Sequence, residues 1–182
     1  MFDRQGNRKY LNGTERRAFL RTAGKEPDAL RRAFCLTLFN TGCRISEALN
    51  VTAERLDLAN RVVVFETLKR RKTGHFRAVP IPDSLVELLR QVNPAEPSAR
   101  VWNFSRPTAY RLVKDCMASA GIKGGMASPK GLRHGFAVAC LAQKIPLPTV
   151  QKWLGHARME TTAIYLEVSG DEERELAKRL WT

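Results

Sequence analysis

The sequence predicts an α+β domain that is mainly α-helical, and three patterns carry that expectation. Leu30, Phe34 and Leu38 recur four apart with Ala33 beside them, the apolar stripe of a core-facing helix. Between residues 61 and 80 the pattern changes to two β-branched, strand-like runs, 61–67 and 76–80, flanking a basic segment that contains Thr73-Gly74, which reads as a small antiparallel hairpin. Elsewhere helix start and stop residues punctuate the chain at short intervals. With 182 residues, 43% of them hydrophobic, the chain can bury one full core, so a single domain over 1–182 is expected.

In chain order, residues 1–10 are expected to be flexible. The first helix begins after Thr14, read as its N-cap, turns Phe19 and Leu20 to the core and ends at Gly24. The striped second helix runs from Pro27 to about Asn40, with Gly42 as its stop. Arg44 then projects from the first turn of a short helix, where free backbone N–H groups also favour anions. A lone arginine there is ordinarily a solvated surface residue. Glu47 either orients a guanidinium or sits on the surface.

After the hairpin, Pro82-Asp83-Ser84 opens a helix bearing Leu85, Leu88 and Leu89, followed by a linker-like stretch at 93–98 that is too short to separate domains. Ser105 and Pro107 start a helix to about Ala120, which Gly121 closes. Ser128 and Pro129 cap another, whose first turn is basic and whose body is apolar. Lys130 and Arg133 share one face of that turn at the positive end of the helix dipole, costing roughly 0.3–1 kcal/mol per exposed charge until an anion arrives. Pro148 to Gly155 forms a short helix, His156 lies in the turn after it, and Tyr165 sits on the next helix, between Ile164 and Leu166. A last helix with Leu176, Leu180 and Trp181 is expected after a capping box at Ser169.

Lys and Arg number 31 against 18 Asp and Glu, a formal charge of +13, with a pI of about 10.2. That balance points to a polyanion, bound with strong salt dependence and little sequence preference. An anionic membrane surface is the competing partner. No window approaches the roughly 20 apolar residues of a membrane span, and the basic start lacks the apolar stretch of a signal peptide, so a cytoplasmic, nucleoid-associated protein is expected. Cys35, Cys43, Cys116 and Cys140 form no C-x-x-C pair, and three histidines are too few to suggest zinc; reduced, mostly buried thiols are expected. Cys43 stands beside Arg44, a neighbour able to lower a thiol pKa, but it reads better as a small core residue at a helix end. No cofactor or metal is called for.

Candidate contacts to double-stranded DNA are Lys69, Arg70 and Arg71 at the hairpin and Arg106, Arg111 and Lys114 on the helix after Ser105. A metal-free phosphate site can be assembled from Arg44, Lys72, Arg133, His156 and Tyr165. Guanidinium groups are permanently charged planar forks suited to the non-bridging oxygens of a phosphodiester in transfer.

Three segments bring a family into view. Thr41-Gly42-Cys43-Arg44-Ile45-Ser46-Glu47-Ala48-Leu49, Leu132-Arg133-His134, and Leu154-Gly155-His156 followed by Tyr165 nine residues later resemble the signature boxes of the tyrosine recombinase (phage integrase) family. The resemblance runs from about Leu11 to Tyr165. It implies the tyrosine recombinase catalytic-domain fold, in which Tyr165 attacks a scissile DNA phosphate, forms a 3′-phosphotyrosine and frees a 5′-hydroxyl. It further implies that Arg44, Arg133 and His156 bind the phosphate and that Lys72, or Lys69 after a strand slip, protonates the departing 5′ oxygen.

In one position the sequence departs from the pattern. Lys130 stands where most recombinases carry a histidine, three residues before the second arginine, and resembles the poxvirus-like type IB topoisomerases there. Lysine binds phosphate as a point charge but has an unperturbed pKa near 10.4, so it serves as a base for Tyr165 only if desolvation and nearby arginines lower that value. His134 reads as a structural histidine. A core-binding domain has no room before the first helix, which resembles the short fimbrial recombinases; a shortened piece or a relic fits as well.

Family members exchange a C-terminal segment between protomers of a tetramer, so self-association on DNA through residues 169–182 is expected, with folding back onto the same domain as the alternative. A site-specific DNA recombinase is the leading function. A type IB topoisomerase-like relaxing enzyme and a dormant DNA-binding accessory protein are the rivals.

Overall fold

The computed structural model describes residues 2–67, 74–166, 178 and 180. Eight α-helices, one 3-10 turn and a three-stranded antiparallel sheet follow in chain order among the described residues. The sequence-predicted α+β architecture is what forms.

Helix α1 (Gly13–Gly24) is capped by Asn12, not by Thr14. The Asn12 side chain accepts from the Glu15 backbone N–H at 2.8 Å and the Glu15 carboxylate accepts from the Asn12 N–H at 2.9 Å. This reciprocal box needs an acid at the third helical position, which a Thr14 cap would not have supplied. The same Glu15 holds Arg8 through two 2.7 Å contacts, and Phe2 bridges Arg8 in an antiparallel pair. The opening residues, expected to be loose, therefore form a turn tied to α1.

Helix α2 (Ala29–Thr41) starts two residues later than Pro27, because the Asp28 carboxylate accepts from the N–H groups of Leu30 and Arg31. It ends at Gly42, which takes the left-handed conformation at φ 59°. Phe34 and Leu38 are buried, and α2 packs against α1, α4 (Asp83–Val92) and α6 (Pro129–Ala142). The main core gathers around it, with Phe34 edge-on to Trp102 at 5.4 Å between ring centres. Burial of such side chains contributes about 25 cal/mol per Å² of apolar surface.

Short helix α3 (Ile45–Leu49) follows Gly42, and a 3-10 turn (Ala53–Arg55) leads into β1 (Leu56–Asp57), a strand the sequence pattern did not suggest. It is two residues long and carries no alternation to read. β1 pairs with β2 (Val62–Glu66), which pairs with β3 (Phe76–Pro80) in the register Val63↔Val79 and Phe65↔Arg77. Arg61, expected in the strand, turns the chain at φ 56° and pairs with Asp83. Alternation buries Val63 and Phe65 on β2 and Arg77 and Val79 on β3, so one arginine points into the protein.

Helix α5 (Arg106–Ser119) is capped by Ser105, and α6 by Ser128, as expected. Helix α7 (Leu147–Leu154) ends at left-handed Gly155, and α8 (Glu160–Ala163) is one turn long. Tyr165 lies beyond the end of α8, not within a helix. It packs into a second, smaller core with Phe136, Ala137, Cys140, Val150 and Leu154. The expected last helix lies outside the described residues except for Lys178 and Leu180. All four cysteines are free thiols, and Cys43, wholly buried, is pushed up to about 12 by desolvation.

Candidate active site

The site forms where three chain reversals meet: Gly42 between α2 and α3, Gly155 after α7, and the turn after α8. Arg133, on the second turn of α6, ties the first two together. Its Nη1 donates to the Gly42 carbonyl and its Nη2 to the Leu154 carbonyl, each at 2.8 Å. These are the carbonyls a helix leaves unpaired at its C-terminus, so the guanidinium doubles as a cap for two helix ends. Arg133 is buried, and desolvation, followed by repulsion from Arg44, draws its pKa down to about 10, still charged at neutral pH.

Arg44 is the N-cap of α3, and its side chain is 23% exposed. Its Nη1 lies 2.6 Å from Glu47 Oε1, and its backbone N–H donates to Glu47 Oε2 at 2.9 Å. Glu47 does not sit on the surface. It is buried and its second oxygen also accepts from Arg77 Nη2 at 2.6 Å. Burial pushes the Glu47 carboxyl up, but Arg77, the Arg44 N–H and the Arg44 charge outweigh it and the net shift is downward.

Arg77 also donates from Nε to the Trp153 carbonyl (2.7 Å) and from Nη1 to the Thr67 hydroxyl (3.1 Å). A Cβ on Gly155 would meet its guanidinium at 3.0 Å, so this turn needs glycine for space as well as for its φ of 66°. One carboxylate therefore aligns two arginines from different elements.

His156 is fixed by a 2.8 Å hydrogen bond between Nδ1 and the Thr162 hydroxyl, which leaves Nε2 for a ligand. Its ring lies parallel to that of Tyr165, with centres 6.3 Å apart and planes within 11°. Burial, then Arg133 and Arg44, lower its pKa to about 3. Tyr165 is 2% exposed, and its hydroxyl lies 2.7 Å from His134 Nδ1. Burial raises the phenol pKa despite the pull of Arg133 and Arg44.

Four predicted residues, Arg44, Arg133, His156 and Tyr165, thus converge. Lys130 is exposed at the start of α6 and makes no hydrogen bond or ion pair among the described residues, so the desolvated setting a basic amine would need is absent. Lys69, Arg70, Arg71 and Lys72 lie outside the described residues. Arg106 and Arg111 are exposed on α5, while the Lys114 ammonium donates to the Ala127 carbonyl at 2.8 Å. Among the described residues no group of three His, Cys, Asp or Glu side chains gathers as a metal site. No helix among them is long and apolar enough to cross a membrane.

Sequence reasoning missed Arg77 and the contact of His134. The period-two pattern had placed Arg77 on the face of Val79, a usable signal. Nothing local linked His134 to a tyrosine 31 residues away.

Residues 9–172 match the phage integrase family. The chain belongs to that family. Tyrosine recombinase XerA of Pyrococcus furiosus is 32% identical over 159 residues, 81% of this chain and 54% of that protein. Tyrosine recombinase XerD of Mycobacterium tuberculosis is 34% identical over 160 residues, 80% of this chain and 50% of that protein. The chain spans about half the length of the curated relatives it matches.

Among solved structures, the XerH recombinase bound to palindromic difH substrate after cleavage superposes with a TM-score of 0.80 at 24% identity, over 99% of this chain and 56% of that one. The catalytic domain of bacteriophage HP1 integrase gives 0.65 at 22%, over 93% of both chains. The fold is that of the family's catalytic domain, and the similar solved structures include ones in complex with DNA.

Proposed function

We propose that this chain is the catalytic domain of a site-specific DNA recombinase that breaks and rejoins DNA through Tyr165. One observation carries the reading: the Tyr165 hydroxyl, the His156 ring and the Arg44 and Arg133 guanidiniums, drawn from four separate segments, gather around one point. In this reading Arg44 and Arg133 neutralise the non-bridging oxygens of the scissile phosphate, and His156 donates to it from Nε2. The Tyr165 oxygen replaces the 5′ oxygen on phosphorus, so the strand is held as a 3′-phosphotyrosine whose bond energy is kept for rejoining.

Lys72 protonates the departing 5′ oxygen, with Lys69 as the alternative. Its support is positional: Thr67 and His75, which flank residues 68–73, line a cleft that His156 also lines. Lys130 adds a point charge beside the phosphate. Lys69, Arg70, Arg71, Arg106, Arg111 and Lys114 follow the duplex backbone, and the +13 charge favours the approach.

The working unit in this reading is a tetramer on DNA, in the cytoplasm, joined by exchange of residues 169–182. A groove bounded by α1, α6 and Leu166, lined by Val138, Ile145 and Leu147, offers an apolar seat for that segment. Size-exclusion chromatography with and without DNA tests this, and deletion beyond Ser169 is expected to abolish assembly.

The deciding experiment is denaturing electrophoresis after incubation with nicked suicide duplexes. A covalent adduct absent from Tyr165→Phe is expected; no adduct despite tight binding would sink the reading and favour the dormant binder, which the near-complete burial of Tyr165 supports. Strand exchange between two sites, as against plasmid relaxation, separates recombinase from topoisomerase.

A further inference from the structure

We infer that His134 is the base that receives the phenolic proton of Tyr165 when that oxygen attacks phosphorus. The inference rests on the reading of Tyr165 as nucleophile and assigns a step that reading leaves open.

His134 Nδ1 and the Tyr165 hydroxyl are 2.7 Å apart, within the range a general base needs to its proton. The ring planes are inclined by 52°, so the imidazole edge, and not its face, meets the phenol. His134 is held on α6 immediately after Arg133, whose two bonds to helix-end carbonyls fix that turn. The competing groups are placed less well. Lys130 is exposed. His156 has its Nδ1 on Thr162 and lies parallel to the Tyr165 ring, an arrangement that turns its face toward the phenol.

The charges around His134 supply the timing. Lys130 and Arg133 on its own helix and Lys9 from the opening segment repel a proton, Tyr165 lies against its bonding edge, and His156 feels its charge from across the site. Desolvation, then those cations, bring the His134 pKa to about 4, so the free protein holds a neutral imidazole whose Nδ1 can accept. A phosphodiester seated between Arg44 and Arg133 brings a negative charge that offsets part of this field. His134 becomes more basic when substrate arrives.

The step balances. The Tyr165 O–H bond breaks and its proton passes to Nδ1, the phenolate oxygen bonds to phosphorus, and the 5′ oxygen leaves with a proton from the hairpin lysine. On rejoining, the 5′-hydroxyl gives its proton back to the hairpin lysine as its oxygen bonds to phosphorus, the bond from phosphorus to the Tyr165 oxygen breaks, and His134 returns its proton to that oxygen.

The test uses the full chain and a pool of randomised duplexes, each nicked so that cleavage releases a short fragment. His134→Asn keeps an acceptor oxygen near the Nδ1 position but cannot take a proton at neutral pH. Its single-turnover adduct formation is expected to fall about 100-fold or more, with DNA affinity unchanged and the acidic limb of the pH–rate profile lost. A rate within about threefold of wild type would overturn the base assignment and leave only a positioning bond, and a faster rate would mark His134 as a latch on Tyr165. Adduct in wild type that vanishes in Tyr165→Phe but persists in His134→Asn rejects this inference alone; no adduct in wild type rejects the Tyr165 reading with it. Imidazole nitrogen NMR on the unmutated protein needs no variant to fold: an unprotonated Nδ1 at neutral pH is expected, and a protonated one overturns the assignment.

Discussion

Arg77 of β3 and Glu47 of α3 meet at 2.6 Å with side chains only 4% and 0% exposed, and that sealed pair connects the sheet to the arginine loop. Removing Glu47 leaves the buried Arg77 charge uncompensated, and removing Arg77 leaves the buried carboxylate with Arg44 alone; breaking a buried pair costs roughly 3–5 kcal/mol. Arg77→Met and Glu47→Gln are each expected to lower the unfolding free energy, read from urea curves, by up to an amount in that range. The double variant should lose less than the sum of the two, since neither charge is then stranded. Additive losses would show that the pair does not act as a unit.

Gly42 combines a φ of 59° with a tight approach: a Cβ there would stand 2.4 Å from the Phe136 ring. Its carbonyl is also the acceptor for Arg133. Gly42→Ala is expected to destabilise by about 2 kcal/mol or more, from backbone strain plus overpacking. Catalysis should suffer beyond the stability loss, because shifting the carbonyl tilts the guanidinium. Unfolding curves and adduct yield measured on the same preparation separate the two effects.

Both site histidines are held below their ordinary value of 6.5, His134 to about 4 and His156 to about 3. A folded-state pKa lowered in this way means the unfolded chain binds protons first. Their contribution to stability is therefore complete above about pH 6.5 and is lost as pH falls toward 4 and below. Glu47, also lowered, extends the loss through and below the usual carboxylate range. Urea midpoints measured across this window should fall with acidification, and His156→Asn should flatten the slope. A midpoint that rises on acidification would contradict the assigned direction.

Arg106 and Arg111 are exposed on one helix, and in the proposed reading they follow the phosphate backbone. Each substitution by alanine is expected to weaken duplex binding by a similar factor for all sequences and to lower the salt slope by about 1. Lys114→Ala should change the slope less, since its ammonium is already engaged by the Ala127 carbonyl. Fluorescence anisotropy over a salt series reads all three.

Local chemistry written along the chain determined much of this protein. The stripe Leu30, Phe34, Leu38, the serines at 105 and 128, the glycines at 42 and 155 and the alternating runs of the hairpin each act over a few residues. The order Arg44, Arg133, His156, Tyr165 belongs to the same class of information. Only the tertiary structure decided what those side chains touch: that Arg133 caps two helix ends, that Glu47 serves two arginines, that Tyr165 is buried beyond its helix, and that His134 meets its hydroxyl. Such contacts join residues 21 to 91 positions apart, and their geometry depends on how α6 packs against α2 and α7. No spacing rule along a chain carries that distance.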